Sequence, residues 1–413
     1  MLFKITSAGN NSTFGDLFFT VPSPEAMESA VQEISELCRV RAGELYGGMN
    51  YASPRLEAEL AMMRKTNTAF HFALLKEIAD LSRREGYPVM PEDNLAGSMI
   101  AFLLGITSIN PMPPYYQCRA VDCAFSCEGN TETDLVGIDM ADKKCPLCGE
   151  RMKKDGYNIA IEPIWGTKDN PQAPNFSIDI AAPIRSLIHH QLDSKFGFVD
   201  SDNALYKQLS LADSALCERI GDLAKATGVS PNTAQYQDEV YLQVLKNVAD
   251  DLVDELTEFK ESGHINDEQY VNGMSFAKEL KSVISCDFCT LTKIYGYIYG
   301  SFSNPKALRK VYDPHFFTLR DDFFKALVSC GVPDEIALDL AKRGVWSLTE
   351  RRKEYISILE QYDAPQVLQE YFNSVANLWP ASACISRLQL ICAIAWYQIN
   401  YPEEFAKRTE HRC

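Results

Sequence analysis

Apolar positions recur at helical spacing along the first quarter of the chain. Leu56, Leu60, Met63, Phe70, Phe72, Leu75 and Ile78 recur at near-helical spacing, which predicts helices from Ser23 to Glu85. Ser23-Pro24-Glu25 opens this stretch with a capping residue, a proline at the first helical position and an acid in the first turn. Gly86-Tyr87-Pro88 ends it. Ahead of it, the apolar run Leu17 to Val21 predicts an edge strand, and after it Ser98 to Ile106 is apolar all round, as in a fully buried helix. Between 111 and 158 periodicity vanishes while Pro, Cys and charges cluster, so a small module sits there that an apolar core alone does not hold. Residues 159–182 alternate short apolar and polar runs between Pro and Asn, and predict strands. From about Ser210 the pattern is mostly helical, with breaks at Gly228-Val229-Ser230-Pro231, Ser262-Gly263, Ser303-Asn304-Pro305, Gly331-Val332-Pro333 and Trp379-Pro380.

A chain of 413 residues with 46% hydrophobic and 23% charged residues has the composition of two or three globular domains, which excludes collagen, coiled coil and disorder. No apolar run reaches the length of a membrane span, and the N-terminal MLFKITSAGN lacks the apolar stretch of a signal peptide, so a cytoplasmic protein without membrane partners is expected. The net charge of −16 disfavours non-specific attraction to nucleic acid, although a local basic groove is compatible with it. Thirteen cysteines in such a chain point to reduced thiols and a metal site rather than to a disulfide framework.

The metal site is the most specific chemical signal. Cys118-x4-Cys123 and Cys145-Pro-Leu-Cys148-Gly149 have the spacing of two knuckles that turn four thiolates onto one tetrahedral Zn²⁺, with Cys127 able to replace Cys118 or Cys123. Four thiolates close the coordination sphere, so the expected role is structural. Cys286-Asp-Phe-Cys289 has knuckle spacing but no partner pair, and reads as two core thiols.

Around this module the sequence resembles the palm of PolC-type, C-family bacterial replicative DNA polymerases. The resemblance rests on Gly86-Tyr87-Pro88-Val89, on the run from Gly105 through Asn110-Pro111-Met112-Pro113-Pro114-Tyr115-Tyr116-Gln117 to Cys118, and on Cys145-Pro-Leu-Cys148-Gly149 with Lys153-Lys154-Asp155-Gly156. Glu44-Leu45-Tyr46-Gly47 and Arg55-Leu56-Glu57-Ala58-Glu59-Leu60 are similar to the preceding helices. Ala226-Thr227-Gly228-Val229, Arg320-Asp321-Asp322, Trp379-Pro380 and Tyr401-Pro402-Glu403-Glu404-Phe405 follow in family order. The resemblance implies an α+β fold: a palm-like mixed sheet with an inserted zinc ribbon, then a mostly helical region. The expected boundaries are 1–115, 116–158, 159–212 and 213–413, the last being fingers-like.

The departures from the family carry the functional reading. The resemblance implies three acids that hold two metal ions, and at those positions stand Asn175, Ser177 and, by ungapped counting, Ser210. Neutral side chains cannot balance two divalent cations. Asp179 and Asp213 lie close enough to serve as fallback acids. The family's Gly/Ser-rich triphosphate loop corresponds to Pro91, Glu92, Asp93 and Asn94, where carboxylates replace the positive charge that a triphosphate needs. A Lys and a His of the family's fingers correspond to Ala381 and Ala383. The expectation is therefore a catalytically inactive homologue with no catalytic or nucleotide-binding residues of its own. It would bind DNA or a replication protein, or act purely as a protein-binding scaffold. The competing enzyme is a divergent DNA-directed polymerase with Mg²⁺ on Asp179 and Asp213. Of the remaining candidates, Asp250, Asp251, Asp254 and Glu255 read as a solvated helix face and His189-His190 as structural or exposed. Tyr295, Tyr297 and Tyr299 read as core or edge-strand packing, with base stacking as the alternative.

Overall fold

A computed structural model describes residues 15–20, 22–47, 52–130, 136–196, 206–231, 236–264, 266–300, 317–343, 352–366, 368 and 378–409. These fall into two compact units. One runs to Ser230 and takes in Ile385–Leu390; the other comprises Pro231–Cys384 and Ile391–Thr409.

The first unit begins with strand β1 (Gly15–Thr20) and three helices, α1 (Pro24–Tyr46), α2 (Ala52–Lys65) and α3 (Ala69–Arg84). Ser23 caps α1 as its sequence predicts, its hydroxyl accepting from Ala26 N at 3.2 Å. Strand β2 (Met90–Pro91) and the short helix α4 (Met99–Leu103) follow. Next come the strands β3 (Tyr115–Gln117), β4 (Ser126–Glu128) and β5 (Lys153–Asp155), which make a small antiparallel sheet in the order β4-β3-β5. Helix α5 (Glu162–Trp165), strand β6 (Ser177–Ile180), helix α6 (Arg185–Phe196), strand β7 (Tyr206–Asp213) and helix α7 (Ala215–Thr227) complete it.

The larger sheet has the order β1-β7-β6-β2, with β6 parallel to β7 and the outer pairings antiparallel. Its alternation separates apolar from polar chemistry. Leu17 pairs with Leu209 and Ile178 with Leu211, putting these residues and Ile180 on one buried face. Ser177 pairs with Ser210, and Asp179 with Met90 and Ala212, on the other.

A buried ion pair ties this unit together. Glu59 of α2 is fully buried and accepts from Ser98 Oγ and Met99 N at 2.8 Å, stabilising the start of α4. Its other oxygen meets Arg55 Nε at 3.1 Å. The Arg55 guanidinium also donates to the carbonyls of Ile159, Pro111 and Gly97. Pro111 and Ile159 flank the cysteine module, and the chain is closed there by Tyr157 N to Asn110 O, Asn158 N to Met112 O and Ile159 N to Pro111 O, at 2.9–3.1 Å. Inside the module, among the described residues, Tyr116, Cys118, Met140, Cys145 and Met152 form one small buried cluster. Gly137 fits against Asp155 where a Cβ would lie 2.1 Å from a carbonyl oxygen, so no other residue packs there.

Three expectations change. Residues 159–182 form one strand, β6, and the helix α5 rather than several strands. Pro163, Pro171 and Pro174 lack ladder donors, and Pro163 sits in the first turn of α5, where the missing N–H costs nothing. Strand β7 extends past Ser210 to Asp213 before α7 begins. Tyr295 and Tyr297 lie buried in a helix, so neither stands on an edge strand nor offers a ring face to a base; the Tyr299 side chain, Val21 and Ser303-Asn304-Pro305 lie outside the described residues.

The second unit is helical among its described residues: α8 (Asp238–Glu261), α9 (Asp267–Lys281), α10 (Phe288–Gly300), α11 (Arg320–Ser329), α12 (Asp334–Arg343), α13 (Arg352–Gln361), α14 (Ala381–Asn400, whose Ile385–Leu390 belong to the first unit) and α15 (Pro402–Thr409). The Arg320-Asp321 and Trp379-Pro380 motifs meet: Arg320 N donates to Trp379 O, and buried Asp321 accepts from Ala381 N at the start of α14, both at 2.8 Å. Among the described residues no helix is long and apolar enough to cross a membrane. Removing one partner of a buried ion pair strands the other charge, so Arg55→Met is expected to lower stability by about 3–5 kcal/mol in urea unfolding.

Candidate functional site

The two cysteine knuckles converge. The Sγ atoms of Cys118, Cys123, Cys145 and Cys148 all lie within 4.8 Å of one another, with Cys118 and Cys148 at 3.3 Å and Cys123 and Cys145 at 3.6 Å. Backbone bonds shape the turns: Cys118 N donates to Phe125 O, and Gly149, at φ +79°, donates to Cys145 O, both at 2.9 Å. Four sulfurs about 2.3 Å from one centre would be spaced in this way, so the group can hold one metal ion, and four soft donors suit Zn²⁺. Cys127 stands outside the group, opposite Tyr116 in the sheet, and accepts from Lys143 Nζ at 3.4 Å. Zinc content after purification is expected to collapse in Cys145→Ser and to persist in Cys127→Ser, as read by a chromophoric chelator on denatured protein.

The second candidate site is the polar face of the larger sheet. Register places the sequence-derived positions together: Ser177 is paired with Ser210, and Asn175 lies two residues before Ser177. The Pro91–Asn94 loop adjoins them. Glu92 N donates to Ser177 O at 3.0 Å, and Asn175 N donates to Asn94 Oδ1 at 3.3 Å. Asn94 is buried and donates from Nδ2 to Pro163 O at 2.9 Å. Pro91 pairs with Ile178, and Asp93 takes a positive φ of 52°. The loop is thus fastened by its own side chains to the strand beside it.

Asp179 and Asp213 do not share a face. Asp213 pairs in register with Ile180, while Asp179 pairs with Ala212. Asp213 is bound by Arg185 Nε at 2.7 Å. Asp179 is 9% exposed and hydrogen-bonded to the Glu92 side chain. Glu92 in turn has Arg387 of α14 at 3.9 Å, from the Ile385–Leu390 turn that belongs to this unit. Burial, then the Glu92 carboxylate, push the Asp179 carboxyl up to about 8 against the opposing pull of Arg387, with Asp213 adding to the rise. Among the described residues, the four cysteines are the only three or more potential ligands that converge. On the polar face Asn175, Ser177 and Ser210 are neutral, and among the described residues Asp179 and Glu92 do not converge with a third potential ligand. Sequence reasoning missed Arg185 and Arg387; Arg387 lies far downstream of the strand it serves, and no spacing pointed to it.

The other candidates stay separate. Cys286 is buried, its N–H donating to Asp238 at 2.7 Å, and Cys289 is half-buried. Asp250 pairs with Lys281, and His189 and His190 are exposed on α6. Ala381 and Ala383 are buried at the start of α14.

Residues 32–284 match the model of the bacterial DNA polymerase III alpha NTPase domain, more than half of the chain. The chain belongs to the bacterial DNA polymerase III alpha family. Within it the chain is PolC-like: it is 30% identical over 176 residues to the PolC-type DNA polymerase III of Thermotoga petrophila, and 30% identical over 173 residues to that of Bacillus subtilis. These alignments cover 42% and 41% of this chain but only 13% and 12% of the relatives.

Because folded Asp179 keeps its proton to about pH 8 while an unfolded aspartate loses it near pH 4, the native state binds more protons between those values. Its contribution to stability is therefore present at low pH and lost as pH rises towards 8. The urea midpoint is expected to fall from pH 5 to pH 8 more steeply in the native sequence than in Asp179→Asn.

Proposed function

We propose that this chain is a catalytically inactive PolC-like polymerase homologue with a binding or regulatory role connected to DNA replication. The observation that carries this reading is the concerted loss at one place: Asn175, Ser177 and Ser210 where the resemblance implies metal-binding acids, and Glu92 and Asp93 where it implies a triphosphate cradle. Loss of cation ligands together with gain of anions removes the electrostatic basis of phosphoryl transfer as a unit. The adjoining placement of these residues, with Asp179 and Asp213 on opposite faces, supports the same reading.

In this reading the larger sheet is palm-like, residues 116–158 are a zinc ribbon with Zn²⁺ in a structural role on Cys118, Cys123, Cys145 and Cys148, and 213–413 are fingers-like. Partners are DNA or a replication protein, and the net charge of −16 favours a protein partner over non-specific nucleic acid. Primer extension with zinc-loaded protein, a labelled primer–template, four deoxynucleotides and Mg²⁺ or Mn²⁺ tests the proposal. No extension is expected with either metal. Extension that disappears in Asp179→Ala would establish instead a divergent polymerase working through Asp179 and Asp213.

A further inference from the structure

Acids on either face of the larger sheet are each answered by an arginine of the same unit. Asp213, at the end of β7, receives Arg185 Nε at 2.7 Å, and the same guanidinium donates from Nη2 to Leu211 O at 3.3 Å. Glu92, hydrogen-bonded to Asp179, has Arg387 Nη2 at 3.9 Å. Both arginines are sheltered, with side-chain exposures of 25% and 19%. Neighbouring bonds hold the turn that carries Arg387. Ser386 Oγ donates to Pro91 O at 3.4 Å, Gln389 Nε2 donates to Tyr157 OH at 3.0 Å, and Gln389 Oε1 accepts from Ser108 Oγ at 2.5 Å.

We propose that Arg387 is a built-in counter-cation on the polar face of the larger sheet, which takes the place of a divalent ion beside Glu92 and Asp179 and excludes it, while Arg185 neutralises Asp213 on the other face. A guanidinium is weakly hydrated and suits a sheltered carboxylate, whereas Mg²⁺ demands several oxygen ligands at short range. Asp213 has an oxygen committed to Arg185, and Asp179 has its partner in Glu92. A divalent ion approaching Glu92 and Asp179 would meet the fixed positive charge of Arg387 at close range, and Asp213, on the opposite face, cannot join in holding it. Arg387 is thereby a positioning residue that fastens the Ile385–Leu390 turn over the edge strand β2.

This inference rests on the inactive reading and extends it, and its test can fail separately. The zinc-loaded 413-residue chain is titrated with Mn²⁺, free ion is followed by electron paramagnetic resonance, and unfolding midpoints are measured with and without the ion. The native sequence is expected to take up no Mn²⁺ at millimolar concentration and to keep its midpoint. Arg387→Gln is expected to lower the midpoint by roughly 2–4 °C, and Glu92→Gln in the same chain to restore most of the loss. Stoichiometric Mn²⁺ uptake by the native sequence that vanishes in Asp179→Asn overturns the proposal, as does an Arg387→Gln protein as stable as the native one. If Arg387→Gln does not fold, Arg387→Lys decides: folding regained with the positive charge supports the counter-cation, and folding still lost rejects it. Mn²⁺ uptake without primer extension defeats this inference alone; extension defeats the inactive reading as well.

Discussion

A fully buried carboxylate and a largely sheltered guanidinium, Glu59 and Arg55, govern the layout of the first unit. Burying both charges is costly, and the pair is tolerated because each finds further partners. Glu59 takes the hydroxyl and amide donors at the start of α4, and Arg55 takes carbonyls from three separate segments. One turn of α2 thus sets where α4 begins and where the chain leaves for, and returns from, the cysteine module. The same arrangement explains why a helix as short as α4 holds its place: its buried first-turn amides meet a negative charge.

The larger sheet shows how a strand's two-residue period distributes chemistry. On β6, Ile178 and Ile180 enter the core while Ser177 and Asp179 turn to the polar face. Retaining the apolar half preserves the sheet, so the polar half is free to change without loss of the fold. In the proposed reading, family likeness and altered site chemistry coexist for this reason.

Much of this was legible in the residues. The knuckle spacing led to the four sulfurs that converge, and Gly86-Tyr87-Pro88 was recognisable because its packing is exacting: Tyr87 lies where a Cβ on Gly221 would clash, with Lys225 Nζ 3.6 Å from its ring centroid. The strand reading of 159–182 failed because short apolar runs between prolines look alike whether they pair or merely fill a core. The core-packing reading of Tyr295 and Tyr297 agrees with their burial, and only its edge-strand alternative fails, since two-residue alternation also occurs in a helix buried on most of its surface. Arg387 could not be found by local pattern at all. It becomes relevant only when α14 places its turn beside Glu92, a relation of tertiary structure.

The closure between 110–112 and 157–159 has a consequence for descent. The chain enters and leaves the cysteine module through adjacent, hydrogen-bonded segments, so the rest of the unit meets a single closed loop whatever its length. The entropy of closing such a loop grows only logarithmically with residue number. Insertions or deletions within it can accumulate without moving the carbonyls that Arg55 holds, which makes this neck a natural point for grafting one module in place of another.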